Sequence, residues 1–424
     1  MTEKQSPDAF HRSVDNALAE MRALFAETPL QLNDHLSARF GARIWLKRED
    51  LSPVRSYKIR GAFNFIRKAL AANPQQSLFV CASAGNHAQG FAYVCRHFGR
   101  KGVVFMPVTT PQQKIDKTRV FGGEFIEIRL TGDFFDACYD AAREFAAAEG
   151  ALMTPPFDHD DIIEGQASVA AEIAAQLPDG EAPDLIVLPV GGGGLSAGIA
   201  RYLEGRVETD NFLLVEPAGA PSLKESLRSG HRVKLGRIDN FVDGAAVAEI
   251  GERNFDILKR FRPDQVMTVP ENAICLTMTR ILNTEGIVLE PAGALSISAL
   301  EALGPEQLAG KTVVAVVSGG NFDFERLPDV KERAMRYAGT KKYFILRLPQ
   351  RPGALRDLLS LLGPEDDIAR FEYLKKSARN FGSILIGIET GSPDNFLRLA
   401  EAFDRAGLSY QDITDNEIIA NLVI

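Results

Sequence analysis

The sequence predicts an α/β protein built on doubly wound parallel sheets, followed by a smaller ferredoxin-like domain. Three observations carry that expectation. Short apolar runs at 78–82, 102–106, 124–128, 185–190, 211–215 and 312–317 alternate with stretches of helical periodicity. Three of these runs end in glycine-rich segments, which a parallel sheet would gather at its carboxyl edge, where ligands bind. Beyond residue 340 the pattern changes to β-α-β-β-α-β, the order of a ferredoxin-like unit.

The helical stretches fall at 58–71, 87–98, 133–149, 162–176, 195–204, 272–284 and 292–302. The first opens on Lys58, with Ile59, Phe63, Ile66 and Leu70 at helical spacing and Ser56 as the expected N-cap. A cation in the first turn opposes the helix dipole, and the small residues Gly61 and Ala62 follow it. Lys58 is therefore expected to hold its proton weakly, as a Schiff-base lysine needs. Taken alone it would read as a surface lysine with a snorkelling stem; the downstream segments argue otherwise.

Run 78–82 leads into Ser83-Ala-Gly-Asn-His-Ala-Gln-Gly90, where Asn86 is also a candidate Asx turn or helix cap. Run 185–190 leads into Gly191, Gly192, Gly193 and Gly194, and Leu195 then opens a helix. Backbone N–H groups in such a loop can close around an anion at the helix N-terminus, so phosphate is the natural guest. No Gly-Lys-Ser/Thr follows, and the spacing is not that of a dinucleotide fingerprint. Run 312–317 leads into Ser318-Gly-Gly-Asn321. The cluster Asp158-His-Asp-Asp161 precedes an amphipathic stretch and is expected to cap a helix rather than bind metal.

The charged stretch 327–340 reads as a linker between a catalytic region, 1–326, and a domain at 341–424. Within the latter, strands are expected at 343–349, 368–375, 383–389 and after 408, with helices at 353–362 and 395–406.

Composition narrows the function. The 424 residues are 45% hydrophobic, enough for large cores, and the net charge of −8 gives no electrostatic reason to bind nucleic acid or an anionic membrane. Cys81, Cys95, Cys138 and Cys275 lack pairing at short spacing and sit in apolar stretches, which favours packing over disulfides or metal. The six histidines, His11, His35, His87, His97, His159 and His231, are too scattered for a metal site. No apolar signal core or long apolar run is present, so a reducing cytoplasm is the expected location.

The Lys58 segment, Ser83–Gly90, the glycine loop, Val215-Glu-Pro-Ala-Gly219, Glu290-Pro-Ala-Gly-Ala294 and Ser318–Asn321 occur in an order that resembles the biosynthetic threonine dehydratases. These are pyridoxal-phosphate enzymes of fold type II, the tryptophan-synthase-β type. The resemblance implies a two-lobed catalytic unit, its smaller lobe spanning roughly 58–160, and one ACT-like regulatory domain with Arg351-Pro-Gly-Ala-Leu355 at a strand-to-helix turn.

Residue by residue, it implies that Lys58 carries pyridoxal 5'-phosphate and later takes the Cα proton. Asn86 would bond the ring hydroxyl, Gly191–Leu195 would hold the phosphate, and Ser318 would face the ring nitrogen. Ser83, Ala84, Gly85 and His87 would receive the substrate carboxylate. A serine hydroxyl cannot protonate the ring nitrogen as an aspartate can, which favours β-elimination over transamination. The implied reaction converts L-threonine to 2-oxobutanoate and ammonia, the first step of isoleucine biosynthesis, and L-serine to pyruvate.

The resemblance further implies feedback by isoleucine, opposed by valine, in a homotetramer. A serine dehydratase or racemase, a β-replacement synthase and a non-catalytic amino-acid sensor are the alternatives. Two positions depart from the family pattern: Gly165-Gln-Ala-Ser168 stands where Gly-Gln-Gly-Thr is common, and Tyr57 where phenylalanine often precedes the lysine.

Overall fold

The computed structural model describes residues 6–178, 181–374 and 380–416. The chain divides into two compact units, Met1–Phe324 and Glu325–Ile424.

The first unit holds two sheets. The larger orders its strands Leu30–Leu32, Arg43–Arg48, Thr312–Val317, Leu185–Pro189, Phe212–Pro217 and Val266–Val269; all neighbours are parallel except the first pair. The smaller orders Ile126–Leu130, Lys101–Met106, Leu78–Ala82 and Leu152–Met153, all parallel. Helices bury the sheets against separate apolar cores, one around Leu188, Ile199 and Val314, the other around Phe63, Phe79 and Phe91. The strands read from apolar runs are present. The one expected at 124–128 begins two residues later, because a 3-10 turn, Gly123–Phe125, opens on Gly123 at φ 56°.

Strand Arg43–Arg48 escaped the sequence reading for a physical reason. Its Arg-Ile-Trp-Leu-Lys-Arg pattern looks half solvated, yet Lys47 is fully buried. Lys47 Nζ donates to Glu172 Oε2 at 2.6 Å and to the Thr28 carbonyl at 2.6 Å. Arg60 joins this network from the helix Lys58–Ala72, donating to Glu49 at 2.7 and 2.8 Å and to Glu172 at 2.7 and 3.0 Å. Two buried cations and two buried carboxylates thus neutralise each other, and the half-buried Arg22 adds a third cation at Glu172, 2.6 Å away.

Lys58 is the first residue of its helix, as expected, but Ser56 is not the cap. Tyr57 occupies that position without a side-chain bond, and Ser56 forms an antiparallel bridge with Gly319. The acidic cluster does cap, in a divided way. The His159 ring accepts from the Asp161 N–H to start Asp160–Gln176, while Asp158 accepts from Glu252 and Arg253 at 2.9 Å each to start Glu252–Leu258. Ala167 lies inside the helix Asp160–Gln176, so the glycine of the family pattern is not needed for backbone freedom.

In the second unit four antiparallel strands order as Asp367–Leu374, Phe381–Glu389, Lys341–Pro349 and Ser409–Asp412, with helices Ala354–Leu359 and Asp394–Arg405 between them in sequence. This is the ferredoxin-like arrangement expected. The stretch read as a linker is instead largely a helix, Leu327–Tyr337, which buries Val330 and Ala334; Glu332 pairs with Lys341 at 2.6 Å. Its apolar contacts are too few to show in a charged sequence. Residue 375 of the expected strand 368–375 and the expected strand material from 417 onward lie outside the described residues.

The buried network yields a prediction. Arg60→Ala leaves Glu49 without its guanidinium and Glu172 with only Lys47 and Arg22, and should cost about 3–5 kcal/mol. Urea denaturation followed by the fluorescence of Trp45, the single tryptophan, reads the loss; a change under about 1 kcal/mol would show that the network does not hold the fold.

Candidate active site

The lysine is placed by backbone pairing as well as by its helix. Tyr57 N–H donates to the Ser318 carbonyl at 3.2 Å and Gly320 N–H to the Arg55 carbonyl at 2.9 Å, so the entry to the helix is zipped to the loop after strand Thr312–Val317. Arg55 sits at φ 58°, the one non-glycine residue with positive φ among those described, and the Ser52 hydroxyl closes this turn on Ser56. Gly90 sets the other side. A Cβ there would lie 2.9 Å from Ile59 N, so the helix Asn86–His97 can cross the lysine's backbone only with glycine at the contact.

Lys58 Nζ donates to the Pro156 carbonyl at 2.8 Å and lies 5.3 and 5.8 Å from the ring centroids of Tyr57 and Phe157. Burial among these groups lowers its pKa to about 8, partly offset by the negative charge of Glu290. Desolvation is the leading cause of the lowering. Tyr57, by the same burial and with Glu290 nearby, is held above the ordinary phenol range.

Phe157 also backs the glycine loop. A Cβ on Gly192 would run into its ring, one on Gly194 would lie 3.0 Å from its carbonyl, and one on Gly191 would lie 2.8 Å from Ala245 Cα. Gly193 has φ 91° and immediately precedes the helix Gly194–Tyr202. The Gly192 carbonyl is turned to Asn254 Nδ2 at 2.7 Å and accepts from Gly251 N–H. Four consecutive glycines thus serve close packing and a left-handed turn, and leave helix-terminal N–H groups for an anion.

Asn86 begins its helix without capping it. Its Nδ2 donates to Glu290 Oε1 at 2.7 Å and its Oδ1 accepts from Asn321 Nδ2 at 2.8 Å. Ser318 is buried, and its hydroxyl donates to the Ala292 carbonyl at 3.1 Å. Of the proposed carboxylate loop, Ser83, Ala84 and Gly85 are partly exposed, whereas the His87 ring is buried and bonded to the Thr154 carbonyl at 3.0 Å. Burial and the charge of Lys58 push His87 down to about 3, so it is neutral and donates through Nε2. Its imidazole is thereby committed inward, and only its backbone amide remains for the loop. Glu290 was quoted in the sequence without a role, and the network at Arg60 and Glu172 not at all; no local pattern marks either.

Glu216, from the motif Val215–Gly219, accepts from Leu223 and Lys224 N–H at 2.7 and 3.0 Å and anchors the helix Ser222–Ser229. Among the described residues no group of three His, Cys, Asp or Glu could hold a metal, no helix is long and apolar enough to cross a membrane, and the four buried cysteines form no disulfide.

The site's donors suit one kind of guest. A buried amine of lowered basicity suits a carbonyl, and a glycine loop at a helix N-terminus suits a phosphate. Such a set defines a pyridoxal-phosphate enzyme. Residues 22–319 match the family described as pyridoxal-phosphate dependent enzyme, and residues 332–423 match the C-terminal regulatory domain of threonine dehydratase. L-threonine dehydratase biosynthetic IlvA of Bacillus subtilis is 46% identical over 398 residues, covering 94% of this chain and 93% of that one. The protein of the same name from Halalkalibacterium halodurans is 43% identical over 408 residues, covering 95% and 96%. The structure of processed threonine deaminase isoform 2 from Solanum lycopersicum superposes with a TM-score of 0.70 at 35% identity, over 78% of this chain and 94% of that one. The chain belongs to the biosynthetic threonine dehydratase family of pyridoxal-phosphate enzymes.

In the second unit a cavity of about 380 Å³ opens beside Arg351 and Ala354, lined also by Arg347, Leu358, Phe381 and Leu408. Arg351 is held there by Asp357 at 2.8 Å.

Because the neutral amine is the nucleophile, the apoenzyme should take up pyridoxal phosphate at a rate that rises with pH through about 8 and levels above it. Stopped-flow absorbance measures this; a rise continuing toward the ordinary lysine value of 10.5 would show that burial does not tune Lys58.

Proposed function

We propose that the chain converts L-threonine to 2-oxobutanoate and ammonia, with L-serine as a second substrate, and that it supplies isoleucine biosynthesis in the cytoplasm as a homotetramer. The observation that carries the reading is the Lys58 amine, lowered to about 8 and set against the phenylalanine that backs the glycine loop.

Bound pyridoxal phosphate supplies the electron sink that makes the substrate's Cα–H acidic. The chain does the rest. Lys58 seats the cofactor, then removes the Cα proton; a base of pKa near neutrality contributes about 10²–10⁴-fold. The N–H groups of Gly191, Gly192, Gly193, Gly194 and Leu195 hold the phosphate. Ser318, whose single hydrogen is given to the Ala292 carbonyl, would turn it to the ring nitrogen and could not protonate that nitrogen as a carboxylic acid would. Asn86 donates its second N–H to the ring hydroxyl. The Ser83-Ala-Gly turn and the His87 amide receive the substrate carboxylate at the start of a helix. Tyr57 and Phe157 cover Lys58 and limit water around the proton it moves.

The second unit regulates. Its cavity pairs guanidinium groups with an apolar wall, which suits the carboxylate and branched side chain of isoleucine, with valine opposing. The effector acts by binding one oligomer arrangement better than another.

Initial rates of 2-oxobutanoate formation from L-threonine, with and without isoleucine, test both halves. A rate abolished in Lys58→Ala and suppressed by isoleucine supports the whole proposal. Activity indifferent to isoleucine would remove the regulatory half, and no keto acid from the wild type would sink the lyase reading.

A further inference from the structure

Three asparagine and glutamate side chains form a chain whose orientation is determined by its far end. The Val54 carbonyl can only accept, and Asn321 Nδ2 donates to it at 2.7 Å. The same nitrogen donates to Asn86 Oδ1 at 2.8 Å, which obliges the nitrogen of the Asn86 amide to be the atom 2.7 Å from Glu290. One of the two Asn86 N–H bonds is therefore spent on Glu290, and the other is left for a guest.

Glu290 is buried at the mouth of the helix Pro291–Leu308, with its carboxylate packed so closely on Gly319 that a Cβ there would collide with it. Charged and titratable groups face it from every neighbouring element. Asp243 acts from the loop before the helix Glu252–Leu258, Lys114 and Lys117 from the helix Gln112–Gly122, and Lys58 and Tyr57 from the start of theirs. Burial, aided by Asp243, raises Glu290 to about 7, while Asn86, Lys114 and the Asn321 backbone oppose the rise. Lys114 is itself paired with Asp243 at 2.5 Å, which ties the helix Gln112–Gly122 to that loop.

We propose that Glu290 is a positioning residue for the cofactor: it aims the free Asn86 N–H at the ring hydroxyl, and its charge, passed through that amide, sets how readily the ring oxygen gives up its proton. An ionised Glu290 draws on one Asn86 hydrogen and adds negative charge beside the ring oxygen, so the oxygen keeps its proton more firmly. Protonation of Glu290 removes that charge and lets the ring oxygen ionise. A spectral change near pH 7 then belongs to Glu290 rather than to His87, whose ring stays neutral across that range.

The inference rests on the cofactor seat proposed above, and one titration separates the two. Apoenzyme is loaded with pyridoxal phosphate, uptake is recorded, and the holoenzyme's visible absorbance is followed from pH 6 to 9 in wild type, Glu290→Gln, Asn86→Ala and the double variant. The wild type should show a spectral midpoint near pH 7 that both single variants lose, and the double variant should match Asn86→Ala. Asn86→Ala should also weaken cofactor binding about ten-fold. An unchanged midpoint in Glu290→Gln overturns the inference while leaving the seat intact; failure of the wild type to take up cofactor overturns both. Should Glu290→Gln fail to fold, a midpoint retained in Asn86→Ala is by itself enough to overturn it, and one lost there supports it.

Discussion

Arg60 lies two residues beyond Lys58, about 200° around the same helix. One face of that single turn therefore carries the reactive amine and the opposite face carries a guanidinium locked between Glu49 and Glu172. Burial alone would raise the Glu172 carboxyl, but Arg60 and Lys47 overcome it and hold Glu172 well below the usual carboxylate range. Such a network offers little net stability over apolar packing, since four charges have lost their water. What it supplies is position. A helix that slid or rotated would strand buried carboxylates, so the place of Lys58 is set by a penalty for every other arrangement.

Close packing enforces the same placement from the remaining sides. A Cβ on Gly165 would press on Gly61 and on the Arg60 carbonyl, so the helices Lys58–Ala72 and Asp160–Gln176 meet backbone to backbone. Gly198 in turn lets the helix after the glycine loop meet the Ile163 and Ala167 backbone. Three helices are thereby stacked at distances that only glycine permits, and the phosphate cradle at the head of one is referenced to the lysine at the head of another.

Burial also brings the site's acid and base toward each other. Lys58 falls to about 8 and Glu290 rises to about 7, which places both near neutrality and makes a proton cheap to move there. His87, buried beside the cationic Lys58, is pushed down much further and becomes a fixed neutral donor. Equal loss of water thus produces two exchangeable protons and one inert ring, according to what each side chain finds beside it.

Much of this was legible in sequence. Strands 78–82 and 312–317 have the bounds their apolar runs suggest, because fully buried parallel strands tolerate little else. The glycine loop, Lys58, Asn86 and Ser318 could be picked out because each follows such a strand or opens a helix; that they would gather at the edge of one sheet was not correct, since the strand before Asn86 lies in the smaller sheet and those before the glycine loop and Ser318 in the larger. Strand Arg43–Arg48 could not be picked out, since Lys47 is satisfied by Glu172 far away in the chain, nor could the helix Leu327–Tyr337, which buries only Val330 and Ala334 in a charged sequence. The inward turn of His87, the amide chain from Val54 to Glu290 and the pairing of Arg60 with Glu172, 112 residues apart, were likewise decided only by the fold. Local pattern determines which segments are buried and where backbone must run free of side chains; which buried charge meets which partner depends on long-range packing, and that exists only once the chain has folded.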